Sequence, residues 1–300
     1  MDTHSSADEG DPSARFIYYS VTLSSICFLF FTCSEPTHKV KESKSFIGKN
    51  IVKPARKPLL AAKKTAKKKK KIYLTFDDGP NRGTKNVLDI AEQEDIPVTF
   101  FIVGEHVFAS IGQTRTWDSL KMAKNIELCN HSYTHAHNRY NKFYNDPENV
   151  VKDVERTRES LLPDNNIVRA PGRSCWRVDS LHFTDIKKSK KAIDSLQQAG
   201  FIVFGWDLEW EYNPKTLALK NSADDLLSEI DSMFSKGKTK VKDNLVVLAH
   251  DQVYQKSGDS MQLREFIQKL KKKEDYELAL VNDFPGITKE TIDSIKAAPR

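Results

Sequence analysis

From Ile72 onward the chain alternates short apolar runs with longer amphipathic or charged stretches. The apolar runs predict strands at Ile72–Phe76, Val98–Val103, Ile126–Cys129, Ile167–Arg169, Phe201–Trp206, Leu245–His250 and Leu278–Val281. The stretches between them predict helices over Thr84–Glu94, Trp117–Lys124, Pro147–Leu161, Lys188–Ala199, Ser222–Lys236 and Asp259–Lys272. Strand followed by helix, repeated, is the signature of βα units and a parallel sheet. No Gly-rich dinucleotide loop occurs, and seven strands suit a closed or nearly closed arrangement. The expected fold class is therefore α/β, a distorted (β/α) barrel of seven strands with its active site at the C-terminal strand ends. Asp77, Asp78, His131, Arg169, Asp207 and His250 all fall at or just after those ends.

The first 71 residues break the pattern, so the catalytic domain is expected over 72–300. Residues 1–15 form a polar, acidic tail, and residues 16–33 an apolar run of 18 diluted by Ser20, Thr22, Ser24, Ser25 and Thr32. That length suits a signal-peptide core or a membrane anchor. Phe31-Thr32-Cys33-Ser34 resembles the lipid-attachment site of bacterial lipoproteins, with Phe30 where leucine is usual. The expectation is an exported protein, either secreted or anchored to a membrane through a lipid at Cys33.

Residues 34–71 are a Lys-rich linker, and they change how the overall charge is read. Residues 39–71 sum to +13 and residues 1–38 to −4, which leaves −3 of the chain's +6 for residues 72–300. The basic balance thus belongs to the linker, a solvated and self-repelling tether. At roughly 1 kcal/mol per basic residue near an anionic surface, it would be drawn to a membrane or wall polymer. No aromatic residues interleave with the lysines, so no nucleic-acid partner is expected. Of the four cysteines, Cys27 and Cys33 lie in the leader, and Cys129 and Cys175 lie close to site motifs in the body. A disulfide between the latter two and a pair of buried thiols are both open.

The chemistry sits in three segments. Asp77 and Asp78 follow an apolar strand and precede Gly79-Pro80, a turn signal that points their side chains in different directions. One carboxylate can hold a cation while the other accepts a proton. His131 and His135 are four apart, a spacing that brings both rings to one side, as a divalent metal needs. His137 breaks that spacing and is the weaker candidate. Two imidazoles and a carboxylate leave coordination positions open, the mark of a catalytic site, for which Zn²⁺ leads and Co²⁺, Ni²⁺, Mn²⁺ and Fe²⁺ also suit.

Together these segments resemble the polysaccharide deacetylase family, carbohydrate esterase family 4, also called the NodB-homology domain. The resemblance spans about residues 71–285, and its five motifs occur in order. They are Thr75-Phe76-Asp77-Asp78-Gly79-Pro80, His131-Ser132-Tyr133-Thr134-His135, Arg169-Ala170-Pro171, Trp206-Asp207-Leu208-Glu209-Trp210 and Leu248-Ala249-His250.

The resemblance implies that Asp77 is the general base, that Asp78, His131 and His135 hold the metal, and that His250 protonates the leaving amine. It further implies that Arg169 grips Asp77 by a bidentate pair, and that Leu248 and Trp210 line a small pocket for the acetyl methyl group. Two motifs depart from the family pattern. Gly172 stands where an aromatic residue is common after the proline; its backbone N–H still serves an oxyanion, and Trp176 is the candidate for the lost aromatic wall. The fourth motif offers two carboxylates to orient His250, and Asp207 is favoured over Glu209 because it directly follows the predicted strand.

The function these residues imply is metal-dependent removal of N-acetyl groups from an N-acetylglucosamine-containing polysaccharide such as peptidoglycan or a chitin oligomer. An O-acetyl esterase or non-sugar amidase would use the same site on a different substrate. A catalytically silent glycan-binding protein is the reading from a different class, and the intact set of Asp77, Asp78, His131, His135 and His250 argues against it.

Overall fold

The computed structural model describes residues 68–161, 166–289 and 291. The apolar segment 16–33 with its Cys33, and the Lys-rich linker as far as residue 67, lie outside the described residues. Strands are β1 (Lys70–Gly79), β2 (Val98–Ile102), β3 (Ile126–Asn130), β4 (Ile167–Val168), β5 (Cys175–Val178), β6 (Leu181–Thr184), β7 (Ile202–Val203), β8 (Leu208–Glu209), β9 (Tyr212–Asn213), β10 (Ala218–Leu219), β11 (Asn244–His250) and β12 (Tyr276–Leu278). Helices are α1 (Thr84–Glu94), α2 (Gly104–Val107), α3 (Ile111–Met122), α4 (Tyr140–Tyr144), α5 (Pro147–Leu161), α6 (Lys190–Gln198), α7 (Ala223–Ser235) and α8 (Ser257–Lys271).

Six of the seven expected strands form, as β1, β2, β3, β4, β7 and β11, with β7 cut to Ile202–Val203; the last shifts upstream, so that β12 shares only Leu278 with the expected Leu278–Val281 and Val281 opens a 3-10 turn. Each pairs in parallel with its expected-strand neighbours. The sheet runs β6-β5-β7-β4-β3-β2-β1-β11-β8 with β12 on β1, a curled half-barrel of ten strands. The three unexpected members are the antiparallel hairpin β5–β6 and the two-residue β8 beside β11. Arg177 in the middle of β5 and the shortness of β8 hid them from a reading of apolar runs.

Side chains alternate faces along a strand, and here the alternation divides core from site. On β1, Ile72, Leu74 and Phe76 face outward and pack with Val87 and Leu88 of α1 and Phe266 and Ile267 of α8. Tyr73, by contrast, joins the interior cluster of Phe101, Cys129, Ile167, Trp176, Phe204, Val246 and Phe284. Thr75 and Asp77 continue that inward face toward the strand's C-terminal end. On β11 the same split puts Leu245, Val247 and Ala249 outside, and Val246, Leu248 and His250 inside. The lower interior is thus filled with apolar rings, and its upper rim is left to polar groups.

Helices cover the outer face for local reasons. α8 buries Leu263, Phe266, Ile267 and Leu270, and α5 buries Val150, Val154 and Thr157, the i, i+3/i+4, i+7 stripe of an amphipathic helix. α7 starts at a capping box, in which the Ser222 hydroxyl accepts from the Asp225 N–H and the Asp225 carboxylate accepts from the Ser222 N–H. Cys129 and Cys175 are both buried and not joined in a disulfide, so the open question about them resolves to two thiols.

Candidate active site

The interior face converges on a pocket of about 650 Å³ lined by Asp77, Asp78, His131, His135, Leu248 and His250, among others. Register explains the convergence: Asp77 on β1 is the lateral partner of His250 on β11. A carboxylate and an imidazole contributed by distant parts of the chain therefore share one rim.

Asp77 is buried, and its Oδ1 accepts from Arg169 Nη1 at 2.7 Å. The bidentate grip expected of Arg169 is not what forms. Nη1 also donates to Thr75 Oγ1 at 2.8 Å, Nη2 donates to the Gly205 carbonyl at 3.0 Å, and Nε donates to the Phe204 carbonyl at 3.3 Å. The guanidinium lies over the Phe101 ring, 4.0 Å from its centroid. Arg169 is wholly enclosed and binds Asp77 with one donor, because its other N–H groups tie β1 to the segment after β7.

Asp78 turns the other way, on a left-handed backbone (φ 75°). Its Oδ1 lies 3.5 Å from His131 Nε2 and 3.2 Å from His135 Nε2. One atom from each of the three residues falls within 4.8 Å of the others, the spacing of ligands around a single ion. Burial works against the Asp78 carboxylate, yet hydrogen bonds from His131 and His135 hold it well below the usual range. His131 Nδ1 lies 2.9 Å from the Arg169 carbonyl, which fixes that nitrogen as donor and turns Nε2 toward Asp78. His135 sits at φ 49° at the head of a left-handed turn through Asn138, and its N–H donates to Ser132 Oγ at 3.0 Å. The donor set of two imidazoles and a carboxylate fits a divalent ion with open positions. His137, the weaker candidate, is exposed and pairs with Glu105 Oε2 at 3.3 Å, apart from the triad.

Three further expectations are corrected. Asp207 does not face His250: its Oδ1 accepts from the Lys240 N–H at 2.8 Å and its Oδ2 from the Val246 N–H at 2.9 Å. The carboxylate near His250 belongs to Glu209, with Oε1 3.9 Å from Nδ1, and burial pushes the Glu209 pKa up. Trp210 is not in the pocket wall. It faces outward like Leu208, packs on Tyr254 and Phe266, and donates its indole N–H to the Asn221 carbonyl at 3.1 Å. Trp176 is not the replacement wall either, since it is fully buried in the interior cluster with its ring 4.8 Å from Phe204.

Leu248 and Gly172 do line the pocket, and Tyr140 occupies the space left by the missing side chain. Gly172 has φ 62°, and a Cβ there would meet the Tyr140 ring at 3.2 Å. Tyr140 stands edge-on to His135 at 5.8 Å, while Tyr212 stands against His250 at 5.0 Å. Gln252 reaches from Asp78 Oδ2 (3.4 Å) to the Tyr212 hydroxyl (3.2 Å). Neither tyrosine carries a motif signal: Tyr140 opens the short α4 and Tyr212 the two-residue β9, elements whose placement only the folded chain defines. Behind the rim, Asp251 is buried, accepts from Thr84 Oγ1 at 2.5 Å and from Asn81 Nδ2, and has its pKa pushed up to about 8 by burial.

A peptidoglycan-N-acetylglucosamine deacetylase of Bacillus cereus is 27% identical over 237 residues, which is 75% of this chain and 76% of that protein. A Bacillus subtilis relative is 27% identical over 150 residues, 48% of this chain and 47% of its own length, so the match spans about half of that protein. The catalytic domain of a peptidoglycan N-acetylglucosamine deacetylase from Eubacterium rectale shares the fold, with a TM-score of 0.53 at 21% identity over 72% of this chain and 90% of that one. Residues 64–175, which contain the Asp77-Asp78 and His131/His135 motifs, match the family described as polysaccharide deacetylase.

Proposed function

We propose that the protein is a metal-dependent hydrolase that removes N-acetyl groups from a glycan containing N-acetylglucosamine. The observation that carries this reading is the convergence of an Asp78/His131/His135 donor set with Asp77 and His250, lateral partners on adjacent strands. A divalent ion in that donor set, Zn²⁺ first and Co²⁺, Ni²⁺, Mn²⁺ or Fe²⁺ otherwise, would polarise the acetyl carbonyl and lower the pKa of water. Asp77, oriented by Arg169, takes the proton of the attacking water. His250, with Glu209 beside it, gives a proton to the departing nitrogen, without which an amine leaves poorly. The Gly172 N–H and the Leu248 side chain serve the acetyl oxygen and methyl group.

The apolar run and Cys33 support an exported protein held at a membrane by lipid, with the Lys-rich linker drawn to an anionic surface; mass analysis of Cys33 tests the lipid. Acetate release from N-acetylglucosamine oligomers and peptidoglycan, with Zn²⁺, with Co²⁺ and with chelator, tests the activity. Release that survives chelation, or that survives Asp77→Asn and His250→Ala, would sink this mechanism. Faster release from O-acetylated xylan would move the substrate to an ester.

A further inference from the structure

We infer that a second, basic pocket adjoining the catalytic one is a subsite for a carboxylate carried by the glycan, so that the preferred substrate is an acidic polymer rather than a neutral one. The inference rests on the deacetylase reading and deepens it. This pocket, of about 540 Å³, is lined by Asn138, Arg139, Tyr140, Asn141, Lys142 and Arg173. It presents three cations and no acid, and it shares Asn138 and Tyr140 with the catalytic pocket. Tyr140 is thus a common wall. A sugar under attack at the Asp78/His131/His135 site would place its neighbour across that ring.

One of the three cations is held in place by its neighbours. Arg173 is buried, with Nε donating to Ser189 Oγ at 2.8 Å and Nη1 donating to the Gly172 carbonyl at 2.7 Å. Its guanidinium carbon lies 5.7 Å from the Tyr140 ring centroid and 5.0 Å from that of Tyr144, whose hydroxyl donates to the Pro171 carbonyl at 2.7 Å. These contacts fix the guanidinium plane, and among the described residues Nη2 has no protein acceptor. Arg139 and Lys142 are exposed and, among the described residues, paired with no carboxylate. An uncompensated cluster of like charge in a body of net −3 focuses positive potential on one end of the glycan path.

A planar arginine fork matches a carboxylate by two parallel N–H···O bonds. The amides of Asn138 and Asn141 suit sugar hydroxyls, and the Tyr140 ring suits the apolar face of a pyranose. Peptidoglycan carries such a carboxylate on the sugar next to N-acetylglucosamine, and chitin does not.

The test compares acetate release from four oligomers of equal length: neutral N-acetylglucosamine, a muramic-acid-containing glycan, the same glycan with its carboxylates amidated, and an N-acetylglucosamine oligomer bearing 6-phosphates. In the wild type, kcat/KM for the carboxylate form should exceed that for the neutral and amidated forms by about tenfold or more, mainly through KM, and the margin should shrink with salt. In Arg139→Gln/Lys142→Gln, whose substitutions are on exposed positions, the preference should fall to within about twofold. Arg173→Lys, which keeps the charge without the fork, should lose part of it. Acetate release with no preference for the carboxylate, or a preference unchanged in the double variant, overturns this inference alone. Better turnover of the phosphate form overturns the assignment of the carboxylate. No acetate from any oligomer removes the deacetylase reading and this subsite with it.

Discussion

Replacing Arg169 by methionine is the sharpest test of how the site is held. The side chain is wholly buried and serves four acceptors: Asp77 Oδ1, Thr75 Oγ1 and the carbonyls of Phe204 and Gly205. Methionine fills similar space but satisfies none of them. Removing one partner of a buried ion pair costs about 3–5 kcal/mol, because the remaining charge is left without compensation. The orphaned carbonyls add to this, and local water entry subtracts from it. For a domain of this size each kcal/mol moves the thermal midpoint by about 2–4 °C, so Arg169→Met should melt about 10 °C or more below the wild type.

The decisive comparison is the double variant Arg169→Met/Asp77→Asn, measured by urea unfolding in chelator at constant pH so that metal linkage stays fixed. If the loss comes from an uncompensated carboxylate, neutralising Asp77 should restore about 2 kcal/mol or more even though both residues are now altered. Acetate release should be abolished in both variants. A double variant no more stable than Arg169→Met would refute the reasoning and move the effect of Arg169 from the ion pair to packing against Phe101.

The two carboxylates of the fourth motif should separate in their effects. At 3.9 Å and part exposed, the Glu209–His250 interaction is nearer the water limit of about 1 kcal/mol than the 4 kcal/mol of a dielectric of 20, so Glu209→Gln should lower kcat by about fivefold with little change in unfolding. Asp207→Asn, which removes an acceptor from the Lys240 and Val246 amides, should instead lower stability by about 1–3 kcal/mol in denaturant. Gly172→Ala combines a left-handed φ with a 3.2 Å approach to Tyr140, and should cost about 1–2 kcal/mol of stability and raise KM for the glycan; an unaffected KM would detach Tyr140 from substrate binding. Asp251 has a folded pKa near 8, above its unfolded value, so the native state binds the extra proton between about pH 4 and 8. Its contribution is therefore fully present at the acid end of that window and is lost as pH rises through 8, by at most about 1.4 kcal/mol per pH unit. Denaturant unfolding from pH 5 to 8 should show this decline in the wild type and a flatter profile in Asp251→Asn.

The parts of the site that were legible in the sequence are those tied to an uninterrupted strand. Asp77, Leu248 and His250 follow from apolar runs whose alternation continues to the rim, so the position along the run also sets the face. The fourth motif failed for the converse reason. Phe201–Trp206 reads as one strand with Asp207 at its end, whereas the chain forms β7 at Ile202–Val203, leaves the sheet, and returns as β8 against β11. That return puts Glu209 level with Leu248, and the Asp207 carboxylate on the Val246 N–H two residues lower. At about 3.3 Å per residue the difference is some 7 Å, enough to exchange a carboxylate at the mouth for one that braces the sheet. The same alternation turns Trp210 outward onto Phe266, which the spacing from Leu208 announces once β8 is known to be a strand. Tyr140 is of another kind. It reaches the site through α4, which docks on the 171–173 turn by way of Tyr144 and Arg173, and no local pattern encodes contacts made across that distance. What the sequence does record is the gap: Gly172, where an aromatic residue is common, marks a place that another part of the chain has to fill.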